Sequence, residues 1–198
     1  MLMHSLIPRR LISITTTPTA FTTMRSISIG SDLKTCEATW QKARPWYNSA
    51  EEGLNTAADN AMTMSNVFAG KTVAVFGVPA PFTGTCTYAH YPPYKRLADD
   101  FLAAGVDSVL CYAVSDPYAM HGWAKAMGND FDKIQFMADV DAVWAKEVAL
   151  DNDYSAVSLS VRSKRFSMLV TDGVVKSFHL VDEAEKDADV LLEEAKSL

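Results

Sequence analysis

From residue 72 onward the chain alternates short apolar runs with stretches of helix-forming residues. Thr72, Val73, Ala74, Val75, Phe76 and Val78 form the first run, β-favouring and short enough for a buried strand. It breaks at Gly77, Pro79, Pro81 and Gly84, and Cys86 follows. A short helix is predicted over 85–91. Pro92 and Pro93 interrupt it, because each lacks an N–H and clashes with the carbonyl four residues back. A kink or a restart follows, with Pro93 suited to the first turn of the helix that runs through Lys95, Arg96, Leu97 and Ala98. Residues 106–114 read as a second buried strand. Asp116 reads as an N-cap with Pro117 at the first helical position, opening a helix to about residue 127. A strand over 134–138 and a helix over 142–149 come next. The apolar runs 165–170 and 174–180 flank Thr171-Asp172-Gly173, and Asp-Gly between such runs predicts a hairpin. Residues 184–197 close the chain as an amphipathic helix with Ala188, Leu191, Leu192 and Ala195 on one side.

The segment before residue 72 is less patterned. Trp40, Ala43, Trp46 and Tyr47 suggest an ordered lead-in, and residues 64–68 read as one helical turn ended by Gly70. Gly70-Lys71-Thr72 superficially matches the end of a phosphate loop. It fails as one, because Ser65 stands where the first glycine belongs and the triplet precedes a strand. Strand–helix alternation followed by a hairpin implies right-handed crossovers and parallel strands with an antiparallel pair added. The fold class expected is α/β: a mixed central sheet with helices on both faces, thioredoxin-like, with a cysteine after an early strand.

Length and charge narrow this further. A chain of 198 residues, 48% hydrophobic, forms one core. A net charge of −6 argues against nucleic acid or an anionic membrane as partner. No stretch approaches eighteen consecutive apolar residues, so no membrane-spanning helix is expected. The first thirty residues differ: they carry Arg9, Arg10 and Arg25, many Ser and Thr, and no acid before Asp32. That composition is that of an organellar transit peptide, assigned to residues 1–31, with the domain at 32–198. The destination expected is the mitochondrial matrix, with a plastid as alternative.

The three cysteines Cys36, Cys86 and Cys111 are too few for a secreted disulfide framework and fit free thiols in a reducing compartment. There is no CxxC pair, and His4, His90, His121 and His179 make no zinc spacing with the cysteines, so neither metal nor cofactor is expected. Cys86 stands between a strand end and a helix start. A helix N-terminus carries about half a positive charge, which favours a thiolate. His90 falls four residues after Cys86 and so shares a helix face with it, which leaves a cysteine–histidine hydrolase dyad open, though no third orienting residue is evident.

These residues also carry a family pattern. Pro79-Ala80-Pro81-Phe82-Thr83-Gly84-Thr85-Cys86 resembles the peroxiredoxin motif P-x-x-x-T-x-x-C. Phe76-Gly77-Val78-Pro79, His90-Tyr91-Pro92-Pro93-Tyr94, Val114-Ser115-Asp116-Pro117-Tyr118, Gly122-Trp123 and 162–170 resemble type II (five-like) peroxiredoxins of the mitochondrial kind, in register from 65 to 180. Ala80, Pro81 and Pro93 depart from the family's usual residues and bear on loop geometry.

The resemblance implies a thiol peroxidase acting on hydrogen peroxide and organic hydroperoxides. Cys86 would be the peroxidatic cysteine, with Thr83, Arg165 and Pro79 around it and Thr85 and Gly84 contacting the peroxide. Arg162 divides evenly between a supporting and a solvated position. Cys111, 25 residues after Cys86, is a candidate resolving cysteine whose buried-strand context favours a core role. No cysteine follows it, which points to a one-cysteine cycle with glutaredoxin and glutathione, or thioredoxin, as reductant. A homodimer is implied, with Pro81, Pro117 and Trp123 near its surface. The alternative function is a redox sensor or chaperone working through peroxide-dependent protein binding.

Thiol acidity alone does not make such a site fast. Lowering a thiol from pKa 8.5 to about 6 raises the thiolate fraction at neutral pH roughly thirtyfold. The same change lowers nucleophilicity about tenfold. The remaining few-fold leaves most of the acceleration to donors aimed at the transition state.

Overall fold

The computed structural model describes residues 26–46, 57–129 and 131–198; most of the expected leader and Tyr47 lie outside them. Among the described residues the main sheet is built on β3 (Thr72–Val78), which pairs in parallel with β4 (Ser108–Ala113) and antiparallel with β8 (Phe166–Thr171). Outward from β4 lie β5 (Ile134–Ala138), β1 (Thr39–Lys42) and β2 (Ala61–Thr63); outward from β8 lies β9 (Val174–Leu180). The sheet is therefore mixed, with β3, β4 and β5 parallel and the flanking strands antiparallel. A separate pair, β6 (Asp151–Asp153) and β7 (Val161–Ser163), leads into β8.

Central position explains why β3 is apolar without alternation. Val73 and Val75 face one core, while Ala74, Phe76 and Val78 face the other. On the second face pack α2 (Tyr91–Ala103), α3 (Pro117–Ala126) and α5 (Ala184–Ala195). On the first pack α1 (Met64–Phe68), α4 (Val143–Glu147) and the N-terminal segment through Ile27, Leu33 and Trp40. Trp40 is fully buried against Phe68, Tyr112 and Trp144. Ile27 donates to Val148, and Gly30 to Val175, so ordered packing begins ahead of residue 32.

Local chemistry sets most element ends. The Asp116 carboxylate accepts from the N–H groups of Tyr118 and Ala119 and starts α3, as its spacing predicts. Asp172 and Gly173 both take positive φ, the two-residue turn that joins β8 to β9. The helix predicted over 142–149 is shorter because Ala142 and Ala149 both take positive φ and close it at each end. Buried Asp139 supplies its cap from outside, accepting from Trp144 and Ala145. Strands β1, β2, β6 and β7 carry three or four residues each and escape any periodicity reading.

The expected break at Pro92 and Pro93 does not occur. Helical structure begins at Gly84, runs through a π-helical turn at Cys86–His90, and continues without interruption into α2. Tyr91 donates to the carbonyl of Cys86, five residues back. Pro92 and Pro93 directly follow this wider turn, in the first residues of α2.

Gly77 shows how tightly β3 meets β8. A Cβ there would fall inside the Phe166 ring, the register partner of Gly77. Gly77→Ala should therefore destabilise the fold by about 1–3 kcal/mol, the usual cost of overpacking. Urea unfolding of the two proteins measures this, and an unchanged midpoint with an unchanged slope is the contrary result.

Candidate active site

The site is assembled from the helix that starts at Gly84, the residues just before β8, and α5. Cys86 opens the π-turn with its thiol 1% exposed, while Gly84 and Thr85 immediately before it are exposed. A helix start leaves its first N–H groups without intrahelical acceptors. Thr87 donates to the carbonyl of Thr83, which places Gly84, Thr85 and Cys86 in that first turn. The Thr83 hydroxyl donates to the carbonyl of Ala80 at 2.9 Å and so ties the loop to itself. Pro79 is half-buried at the end of β3, and Phe82 takes φ 59° with its ring 62% exposed.

Arg165 comes from the other side. It is half-buried just ahead of Phe166, and its carbonyl accepts from Val181. One guanidinium nitrogen, Nη2, donates to Cys86 Sγ at 3.4 Å. The other, Nη1, lies 3.0 Å from His90 Nδ1. A guanidinium only donates, so Nδ1 accepts and its proton sits on Nε2. His90 Nε2 in turn lies 2.8 Å from Asp187 Oδ2. That carboxylate also accepts from Tyr94 OH at 2.5 Å and Ser167 Oγ at 2.6 Å.

Charges follow from this arrangement. Burial pulls the His90 imidazole below its ordinary range; Asp187 opposes that and Arg165 adds to it. Burial alone would push the Asp187 carboxyl up, but bonds from His90, Ser167 and Tyr94 outweigh it and hold it below the usual range. Tyr94 is pushed well up, by burial first and Asp187 second.

The arrangement brings Cys86 and Arg165 together as expected, across 79 residues of sequence. It rules out the cysteine–histidine dyad, since both ring nitrogens of His90 are engaged, by Arg165 and Asp187. The third orienting residue that sequence did not reveal is Asp187. A signal was available: Asp187 stands four residues before Leu191, inside the apolar stripe of α5. Arg162 is no solvated residue. It donates to the carbonyls of Leu159 and Val114, bracing the strands behind the loop.

Cys111 lies in mid-β4, paired with Phe76, fully buried. Burial first, and the proximity of Cys86 second, push its thiol well up. Pro117 and Trp123, expected near a dimer surface, are buried within this chain, and Trp123 Nε1 donates to Thr87 Oγ1. A cleft of about 760 Å³ lies beside that pair, with Phe82, Tyr88 and Tyr91 among its walls. Among the described residues no group of three or more His, Cys, Asp or Glu is gathered as a metal site.

Comparison with known proteins places this geometry. The family described as Redoxin matches residues 33–192. The mitochondrial Peroxiredoxin-2F of Arabidopsis thaliana is 43% identical over 150 residues, covering 76% of this chain and 71% of the relative. Its namesake in Oryza sativa subsp. japonica is 39% identical and covers 86% of each chain. A reduced Prx3 from Vibrio vulnificus, solved in complex with hydrogen peroxide, superposes with a TM-score of 0.69 at 31% identity, covering 83% of this chain and 99% of its own.

The buried network predicts acid sensitivity. In the unfolded chain His90 titrates near 6.5, and folding lowers that value, so the unfolded state binds more protons below about pH 6.5. Asp187 acts in the same direction at lower pH, where its depressed carboxyl must be protonated. Stability should fall as pH drops from 7 to 5, and fall less in a His90→Gln variant. Denaturant midpoints across that range check it; parallel profiles would contradict it.

Proposed function

The chain belongs to the redoxin family as a peroxiredoxin of type II and mitochondrial kind, a thiol peroxidase, and we propose that Cys86 is the cysteine that attacks the peroxide. The observation that carries this is the contact between Arg165 Nη2 and the sulfur of Cys86. A permanent cation held beside the sulfur stays in place while charge moves onto the peroxide.

In the first step the Cys86 thiolate attacks one peroxide oxygen. The S–O bond forms as the O–O bond breaks, and sulfur gives up two electrons. The departing oxygen takes up a proton and leaves as water or an alcohol, and Cys86 is left as sulfenic acid. The donors that meet the shifting charge are Arg165 and the N–H groups of Thr85 and Cys86, with Gly84 allowing close approach. Pro79 shapes the loop and shields the thiol. The Thr83 hydroxyl, donating to Ala80 at rest, keeps its lone pairs for an incoming peroxide proton.

Members of this family use thiol reductants, and the cycle proposed here uses one cysteine of this chain. An external thiol condenses with the sulfenic acid, releasing water and leaving a mixed disulfide. A second thiol displaces Cys86 as thiolate and carries away the external disulfide. Glutathione with glutaredoxin, or thioredoxin, fill these roles. Cys111 stays outside the cycle, because a fully buried mid-strand thiol has neither access nor acidity to resolve Cys86. The basic, acid-free leader and the mitochondrial relatives support delivery to the mitochondrial matrix. Exposed Phe82 and Tyr88 offer the apolar surface for a homodimer across the active-site loops.

Stopped-flow oxidation of the reduced protein by hydrogen peroxide tests the reading. Cys86→Ser should abolish it. Arg165→Ala should lower the second-order rate about 10²–10³-fold, and Thr83→Val about tenfold or more, both beyond any change in thiolate fraction measured at 240 nm. Rates that track thiolate fraction alone would overturn the assignment of donors. Cys111→Ser should leave steady-state turnover with glutaredoxin and glutathione within about twofold of the parent. A collapse of turnover would make Cys111 the resolving cysteine.

A further inference from the structure

The C-terminal helix docks on the sheet through Ala188, Leu191, Leu192 and Ala195, all buried. That apolar face would suffice to hold it. Asp187 nevertheless lies on the same face, 6% exposed, beneath the active site. An isolated carboxylate so placed would be costly, and three donors compensate it: His90, Tyr94 and Ser167. Two of the three belong to the helix that carries Cys86, and the third to β8, the strand that follows Arg165.

We propose that Asp187 is a positioning residue for the reaction at Cys86: it holds the proton of His90 on Nε2, and so keeps Nδ1 free to receive and aim Arg165. The inference rests on the reading of Cys86 and Arg165 given above. Arg165 offers only N–H groups, one to Cys86 Sγ and one to His90 Nδ1. If His90 carried its proton on Nδ1, two donors would face each other 3.0 Å apart and the guanidinium would turn away. The carboxylate forbids that tautomer, because it can only accept at Nε2. The titratable groups facing His90 are Arg165 from the site, Tyr94 from α2 and Asp187 from α5. A helix about a hundred residues downstream of the reactive cysteine thus sets the direction of the cation that serves it.

Asp187→Asn separates this role from plain packing. The amide keeps the shape of the side chain, and Tyr94 and Ser167 can still be satisfied. In one of its two orientations, however, it presents an N–H₂ to His90 Nε2 and drives the proton to Nδ1. The full chain is reduced and mixed with hydrogen peroxide, and sulfenic acid at Cys86 is trapped with dimedone and timed by quenched flow and mass spectrometry. Asp187→Asn should slow this step about ten- to a hundredfold, leaving the KM for glutaredoxin unchanged. Leu191→Val, which loosens the same helix without touching the carboxylate, should lower the melting temperature and leave the rate intact. Imidazole ¹⁵N shifts of the unaltered protein should show His90 protonated on Nε2. The proposal is overturned by an Nδ1-protonated His90 in that spectrum, or by a parent-like rate in an Asp187→Asn protein whose own ¹⁵N shifts place the His90 proton on Nδ1; where those shifts leave the proton on Nε2, Asp187→Leu, which removes the acceptor in any orientation, must slow the step or the proposal fails. If the unaltered protein forms no sulfenic acid at Cys86, the error lies in the underlying reading of the thiol.

Discussion

The guanidinium of Arg165 reaches two acceptors, the sulfur of Cys86 at 3.4 Å and His90 Nδ1 at 3.0 Å, and it has no acceptor of its own to offer in return. Because a guanidinium remains charged across the whole accessible pH range, everything within reach of it must accept. The sulfur and the imidazole Nδ1 therefore both accept, and the imidazole proton sits on the far side, towards the Asp187 carboxylate. Cys86, His90, Asp187, Tyr94 and Ser167 form one chain of donors and acceptors that follows from a single cation. Little of it faces water, so its hydrogen bonds act in a medium where a mismatch is costly.

Backbone geometry makes that chain possible. Cys86 and His90 sit at the two ends of one π-turn, and the same turn lets two successive prolines enter α2 without a break. A widened turn at a reactive residue is a recurrent device for aiming side chains. The platform beneath is rigid for a different reason: β3 is buried on both faces, and Gly77 lets the Phe166 ring cross it at contact. The strand end that delivers Pro79 and the strand start that follows Arg165 are adjacent partners in one sheet. Their spacing is thus set by backbone hydrogen bonds and not by loop conformation.

Cys111 shows the same physics with the opposite outcome. It shares the core with Cys86, yet no cation or helix start serves it, and burial pushes its thiol up. Two cysteines of one core differ in chemistry because only one of them faces a donor.

Local and periodic signals were sufficient for much of this protein. The apolar run of β3, the Asp116 cap, the Asp172-Gly173 turn and the amphipathic α5 are each encoded within a few residues, so they are legible without the fold. The spacing from Pro79 to Cys86, and the strand motif that includes Arg165, point by family resemblance to the pair proposed to react. Strands of three or four residues were not legible, because their pairing is decided by partners distant in sequence. Nor was the continuity of the helix across Pro92 and Pro93, which depends on a turn type that no residue pattern announces. Asp187 is the clearest case. Among Glu183, Glu185, Asp187 and Asp189 the apolar stripe of α5 marks only Asp187 as facing inward, and it does not say which group that carboxylate meets. Only the docking of α5 buries that one beneath His90, where an ordinary helix acid becomes the acceptor facing Nε2. The chain by itself pointed, through family resemblance, to the thiol and the cation proposed for the reaction; the tertiary structure decided which groups that cation meets, because those donors and acceptors come from elements that come together only when the sheet and its helices have closed.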